Sequence, residues 1–74
     1  MDSRHYYSSK LIDAREKNKR TQQEVADLLN VDRQTIYRAE AGKNASFELL
    51  AGMCRVYGLP MTDVIIPHPE ITAA

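Results

Sequence analysis

Most features that would announce a chemistry are missing from this chain. A single cysteine, Cys54, leaves no internal disulfide possible, so a reducing cytoplasm is the expected compartment. No apolar run approaches the roughly 20 residues needed to cross a bilayer, and no secretory leader opens the sequence. The two histidines, His5 and His68, stand far apart without partners at ligand spacing, which argues against a metal site. There is no Ser/His/Asp set, no phosphate-cradling Gly loop and no pair of carboxylates at useful spacing. Enzymatic activity and a cofactor are therefore not expected. Net charge is missing too: ten basic residues balance ten acidic ones, with a pI near 6.7. That counts against a nucleic-acid binder, whose domains are often strongly basic.

What is present is compact and patterned. The chain has 74 residues, 43% of them hydrophobic, enough for one domain around one core and too many for a disordered tail. The densest signal is TQQEVADLLNVDRQTIYRAEAG, residues 21–42. Thr21 followed by Glu24 is a capping box, which starts a helix over about 22–29. Val25, Ala26 and Leu29 then share one face. Asn30 suits the left-handed conformation of a sharp stop, and Val31 plugs the turn. Asp32 is placed to cap a second helix over about 33–41. That helix turns Ile36 and Ala39 inward and leaves Arg, Gln and Tyr outward, before Gly42 stops it. Two short helices around a tight turn, the second carrying exposed polar side chains, is how a helix-turn-helix faces the major groove of DNA.

The rest of the chain reads as further helices. Residues 1–5 are polar and expected to fray. A first helix runs from about Tyr6 to Asn18, with Tyr7, Leu11 and Ala14 on its inner stripe, followed by a basic run at Lys17, Lys19 and Arg20. Ser46 caps a fourth helix over about 47–57, with Phe47, Leu50, Met53, Cys54 and Tyr57 inside and Gly58 as its stop. Pro60 opens a short fifth helix through about Ile65. Pro67 and Pro69 end helical structure, leaving 67–74 as a tail. The domain is thus placed at residues 6–66. Charge is unevenly spread: basic residues lead acidic ones by two from Arg15 to Lys43, and trail them by two from Asn44 onward.

TQQEVADLLNVDRQTIYRAEAGK, a Ser-capped apolar helix and a Gly-Leu-Pro lead into another helix together resemble the Cro and lambda-repressor type of helix-turn-helix domain. The resemblance covers roughly residues 8–66. It implies an all-α five-helix bundle that binds a palindromic operator as a homodimer. It also implies base contacts from Arg33, Gln34 and Arg38, with Thr35 and Tyr37 touching bases or backbone. Gln22, Lys43 and Asn44 match backbone-contacting positions, and Arg15 with Glu40 matches a structural salt bridge between the first and third helices. The chain departs from the family pattern at Lys19 and Arg20, where Gly and an apolar residue are usual, so the first turn is expected to differ. Ala39, Ala45 and Pro60 are further departures.

The residue types suit such a role. Arg can donate twice to guanine O6 and N7, and Gln can pair likewise with adenine, each pair discriminating by about 1–3 kcal/mol. Lys19 and Arg20 are candidates for backbone contact as well as for a solvated surface. Leu49, Val56, Ile65, Ile66 and Ile71 lack an obvious place inside, and so small a domain seldom exposes that many. A dimer contact around Met61 to Ile71 would use them and set the recognition helices about 34 Å apart. Gly52 within the fourth helix is unfavourable by about 1 kcal/mol relative to Ala, and close helix approach would explain it. The leading expectation is a transcriptional regulator, most simply a repressor, controlled by concentration, proteolysis or a partner protein. Two alternatives keep the same fold: an antitoxin that also binds a toxin, and a protein-interaction module without DNA binding.

Overall fold

The computed structural model describes residues 6–43 and 45–65. Four α-helices follow one another: α1, Ser8–Lys17; α2, Gln22–Leu29; α3, Arg33–Glu40; and α4, Phe47–Tyr57. A single 3-10 turn, Met61–Asp63, comes after them. No described helix is long and apolar enough to cross a membrane. α2 and α4 begin as the sequence reading expects. Thr21 Oγ1 accepts from the Glu24 N–H at 3.0 Å while the Thr21 N–H donates to the Glu24 carboxylate at 2.8 Å. Ser46 Oγ accepts from the Leu49 N–H at 3.0 Å.

All four α-helices end by the same device. A residue with positive φ follows each one: Lys19, Asn30, Gly42 and Gly58. The next N–H then reaches back five residues: Arg20 to Arg15, Val31 to Ala26, Lys43 to Arg38 and Leu59 to Cys54, at 2.9–3.1 Å. This closes carbonyls that the helix end would otherwise leave open.

Leu11, Val25, Ile36, Leu50, Met53 and Val64 are fully buried and form the centre. Each contributes about 1.5–3 kcal/mol. α2 and α4 approach closely because Gly52 has no side chain: a Cβ there would lie 3.0 Å from Leu29 Cδ2. Leu49, Val56 and Ile65, which looked homeless in sequence, pack partly buried against this core. Ile66 and Ile71 lie outside the described residues, as do the N-terminal segment 1–5, the tail 67–74 and Asn44.

Several expectations are corrected. Tyr7 does not sit on the inner stripe of α1. It precedes the helix in extended conformation, half exposed, and its N–H donates to the Val64 carbonyl at 2.8 Å. Tyr6 takes the inward place, bridging Ile65 in antiparallel fashion and donating its hydroxyl to the Ala39 carbonyl at 2.7 Å. Phe47 is also half exposed. Helical side chains lean toward the N-terminus, so a ring on the first residue of α4 projects past the end of the core. Asp32 precedes α3 without a side-chain capping bond, leaving only its charge to favour that end. The helix expected from Pro60 to Ile65 is reduced to the 3-10 turn, because Ile65 is drawn into the bridge with Tyr6.

Candidate nucleic-acid interface

α3 has two unlike faces. Ile36, Ala39 and Glu40 point inward and are buried, while Arg33, Gln34, Tyr37 and Arg38 are exposed and Thr35 is half-buried. Gln34, Tyr37 and Arg38 fall at i, i+3 and i+4, one contiguous ridge. The two arginines lie on opposite flanks of it. Arg33 lines a shallow concavity with Arg15, Thr21, Gln22 and Gln23, against the start of α2. Arg38 and Thr35 line another with Leu29, Val31, Ser46 and Glu48, against the start of α4. Tyr37 is 52% exposed, far more than a core tyrosine would be.

The ridge is held from beneath by a polar cluster. Arg15 donates Nε to Glu40 Oε2 at 2.6 Å and Nη2 to Glu40 Oε1 at 3.1 Å. This is the fork-to-fork geometry that makes Arg–carboxylate pairs strong and directional. The expected link between first and third helices is therefore present. The hydrogen bond from Arg15 to the Glu40 carboxylate also pushes the guanidinium pKa above its ordinary value. Glu40 is only 6% exposed, and a third donor, Gln22 Nε2, reaches its Oε1 at 2.9 Å. Of the three guanidinium N–H donors that remain, one on Nη1 goes to the Arg20 carbonyl at 2.9 Å.

That last bond explains how the first turn manages without the usual apolar plug. Arg15 staples the turn through the Arg20 backbone, while Lys19, at φ 56°, takes the backbone role for which Gly is usual. Lys19, Arg20 and Lys43 are all exposed. The sequence reading did not find the third donor to Glu40 or the Arg20 staple. Neither has a sequence signal, since both depend on where α1 comes to rest against α2.

Gln22 sits at the first position of α2 and spends one carboxamide N–H on Glu40. A carboxamide has two such donors, so the second is available to an acceptor outside. The backbone N–H groups of the same helix start are also suited to an anion. Around the ridge the arrangement thus offers forked and planar donors on the crest, with single donors and cations on either side. Among the described residues no group of three or more His, Cys, Asp or Glu could hold a metal ion.

A family model described as helix-turn-helix matches residues 11–64, most of the chain. No curated protein matches it.

Proposed function

This chain belongs to the Cro and lambda-repressor type of helix-turn-helix proteins, and from that premise we propose that it is a repressor that reads a palindromic operator as a homodimer. The family makes it a DNA-binding regulator in kind. The observation that carries the finer reading is the exposed ridge of Gln34, Tyr37 and Arg38 on a helix whose other side is fixed by the Arg15–Glu40 fork. Rigid support lets a few side chains meet base edges in register.

In this reading Arg33, Gln34 and Arg38 pair with bases, and Thr35 and Tyr37 touch bases or the neighbouring backbone. Gln22 turns its second carboxamide N–H to a phosphate. Lys19, Arg20, Lys43 and Asn44 supply further backbone contacts. With zero net charge, nonspecific attraction is modest, and base contacts with dimerisation supply much of the discrimination.

Selection from a random duplex DNA pool at two salt concentrations tests it. The expected result is an enriched inverted repeat with half-sites about 10 base pairs apart, retained less well at the higher salt. No enrichment even at low salt would overturn the reading and move the chain to protein contacts, the role its balanced charge favours as second choice.

A further inference from the structure

α4 turns a second face outward that the core does not use. Glu48 in its first turn and Arg55 in its last are both exposed, and neither pairs with another described residue. Seven residues apart on a helix, they share one stripe with about 10.5 Å between them along the axis. Midway on this stripe stands half-buried Ala51, while Gly52 next to it is buried beneath Leu29 of α2. Beside this stripe two concavities meet at Leu29 and Gly52: a mixed one that reaches Arg38, and a smaller apolar one formed by Leu28, Leu29 and Val56 next to Arg55. Leu28 is 55% exposed there.

We propose that this face is the contact between two copies of the chain. In it the Glu48–Ala51–Arg55 stripe of α4 packs antiparallel on its counterpart, about a two-fold axis beside Ala51. The charges single out that occupant. An acidic partner would meet Glu48, and a basic one Arg55, as a like charge. A helix with acid first and base last, laid antiparallel, meets both with opposite sign, and this chain supplies such a helix. Glu48 then faces Arg55 of the partner subunit at each end, and the apolar concavity of Leu28, Leu29 and Val56 is covered while the one at Arg38 stays open to DNA.

The proposal rests on the dimeric reading above and places the contact on α4 instead of the C-terminal segment. It also links dimerisation to DNA. Glu48 shares a concavity with Arg38 and Thr35, where an unpaired carboxylate repels an approaching phosphate. Pairing it with Arg55 of the partner subunit neutralises that repulsion beside the recognition ridge.

Charge reversal of the full chain tests this by sedimentation equilibrium. Glu48→Arg and Arg55→Glu should each weaken the dimer about tenfold or more, and the double variant should recover to within a few-fold of the wild type. Both reversals oppose the α4 dipole, so an effect on helix stability alone would make the double variant the worst of the three. Thermal melts establish which variants are folded. Should the double variant not fold, Glu48→Gln and Arg55→Gln, each expected to weaken the dimer about threefold, take its place. A wild-type dimer indifferent to these changes overturns the α4 contact and leaves the dimeric reading standing. A wild type that stays monomeric at high micromolar concentration overturns both, and duplex selection then shows whether DNA reading survives alone.

Discussion

Residues 21–42 and residues 6–20 are helical in similar proportion but are specified in different ways. The first region carries its own instructions: a reciprocal cap at Thr21 and Glu24, a left-handed stop at Asn30, and a glycine at 42. The second has no side-chain cap at its start, one fully buried residue in Leu11, and a lysine at its stop. Its position comes from distant partners instead. Arg15 grips Glu40, 25 residues on, and Tyr6 reaches the Ala39 carbonyl, 33 residues on. The helix-turn-helix is written locally and α1 is docked on it by polar contacts, so disturbing the dock and disturbing the motif should have separable effects.

The largest effect is expected from severing the dock. Glu40→Ala leaves Arg15 without its carboxylate in a half-buried site and takes the acceptor of Gln22 as well. Removing one partner of a buried ion pair costs about 3–5 kcal/mol, most of the stability a domain of this size has. Circular dichroism melts should show Glu40→Ala largely unfolded at 37 °C. A melting temperature within a few degrees of the wild type would mean that Leu11 and the Tyr6 and Tyr7 contacts suffice to hold α1.

Next is a change on the motif's outer face. Arg38→Ala should leave stability within about 0.5 kcal/mol, as exposed substitutions do. It should weaken binding to the selected operator by about 1–3 kcal/mol and relax preference at one base pair per half-site. Equal weakening on every operator variant would reassign Arg38 to the DNA backbone. Together these two variants put stability on one side of α3 and recognition on the other.

This division also explains what was legible in the sequence. The limits of α2 and α4 follow from caps, stops and apolar spacing, and those of α3 from spacing and its glycine stop, all of which act within a few residues. The family resemblance pairs Arg15 with Glu40, and the structure gives the pair its forked geometry and its third donor. Long-range choices stayed hidden. Which of two adjacent tyrosines turns inward depends on Val64 and Ile65 arriving beside them. That Phe47 stays half exposed depends on where the core ends, not on its spacing. That Glu48 shares a concavity with Arg38 depends on how α4 packs beside α3. The base-reading residues themselves are visible only as an exposed ridge, because exposure says what is available and not what is bound.

A smaller effect comes from Tyr57, near the Arg15–Glu40 pair. It is buried, and its hydroxyl finds no hydrogen-bond partner among the described residues. Burial first, and the Glu40 charge second, push its pKa up to about 12. The unfolded chain releases that proton near 10, so the uncharged phenol supports the fold fully below pH 10. The support is lost as pH rises through about 12, amounting to at most about 2–3 kcal/mol. Tyr57→Phe removes both features. It should gain up to about 1 kcal/mol at neutral pH, where a buried polar atom is relieved of its desolvation. It should also lose less stability than the wild type between pH 10 and 12. Urea unfolding at several pH values checks both, and a Phe variant less stable at pH 7 would reveal a partner for the hydroxyl.

The smallest expected effect tests the comparison at its sharpest point. All four helix stops use the same backbone, but only Lys19 occupies it with a residue that is neither glycine nor asparagine. A side chain in the left-handed region is unfavourable by about 1–2 kcal/mol. Glycine removes that cost and adds about 0.5–1 kcal/mol of its own by freeing the unfolded chain. Lys19→Gly should therefore stabilise by up to about 1 kcal/mol, raising the melting temperature by a few degrees. Lys19→Ala serves as the control, because it deletes the charge and keeps the strain, and so should gain nothing. If both variants gain equally, relief of the basic run explains the effect and the turn is not strained. If glycine alone gains while operator affinity falls in both, Lys19 holds an unfavourable conformation so that its ammonium can reach a phosphate, and the least locally coded turn of the domain is itself part of the interface.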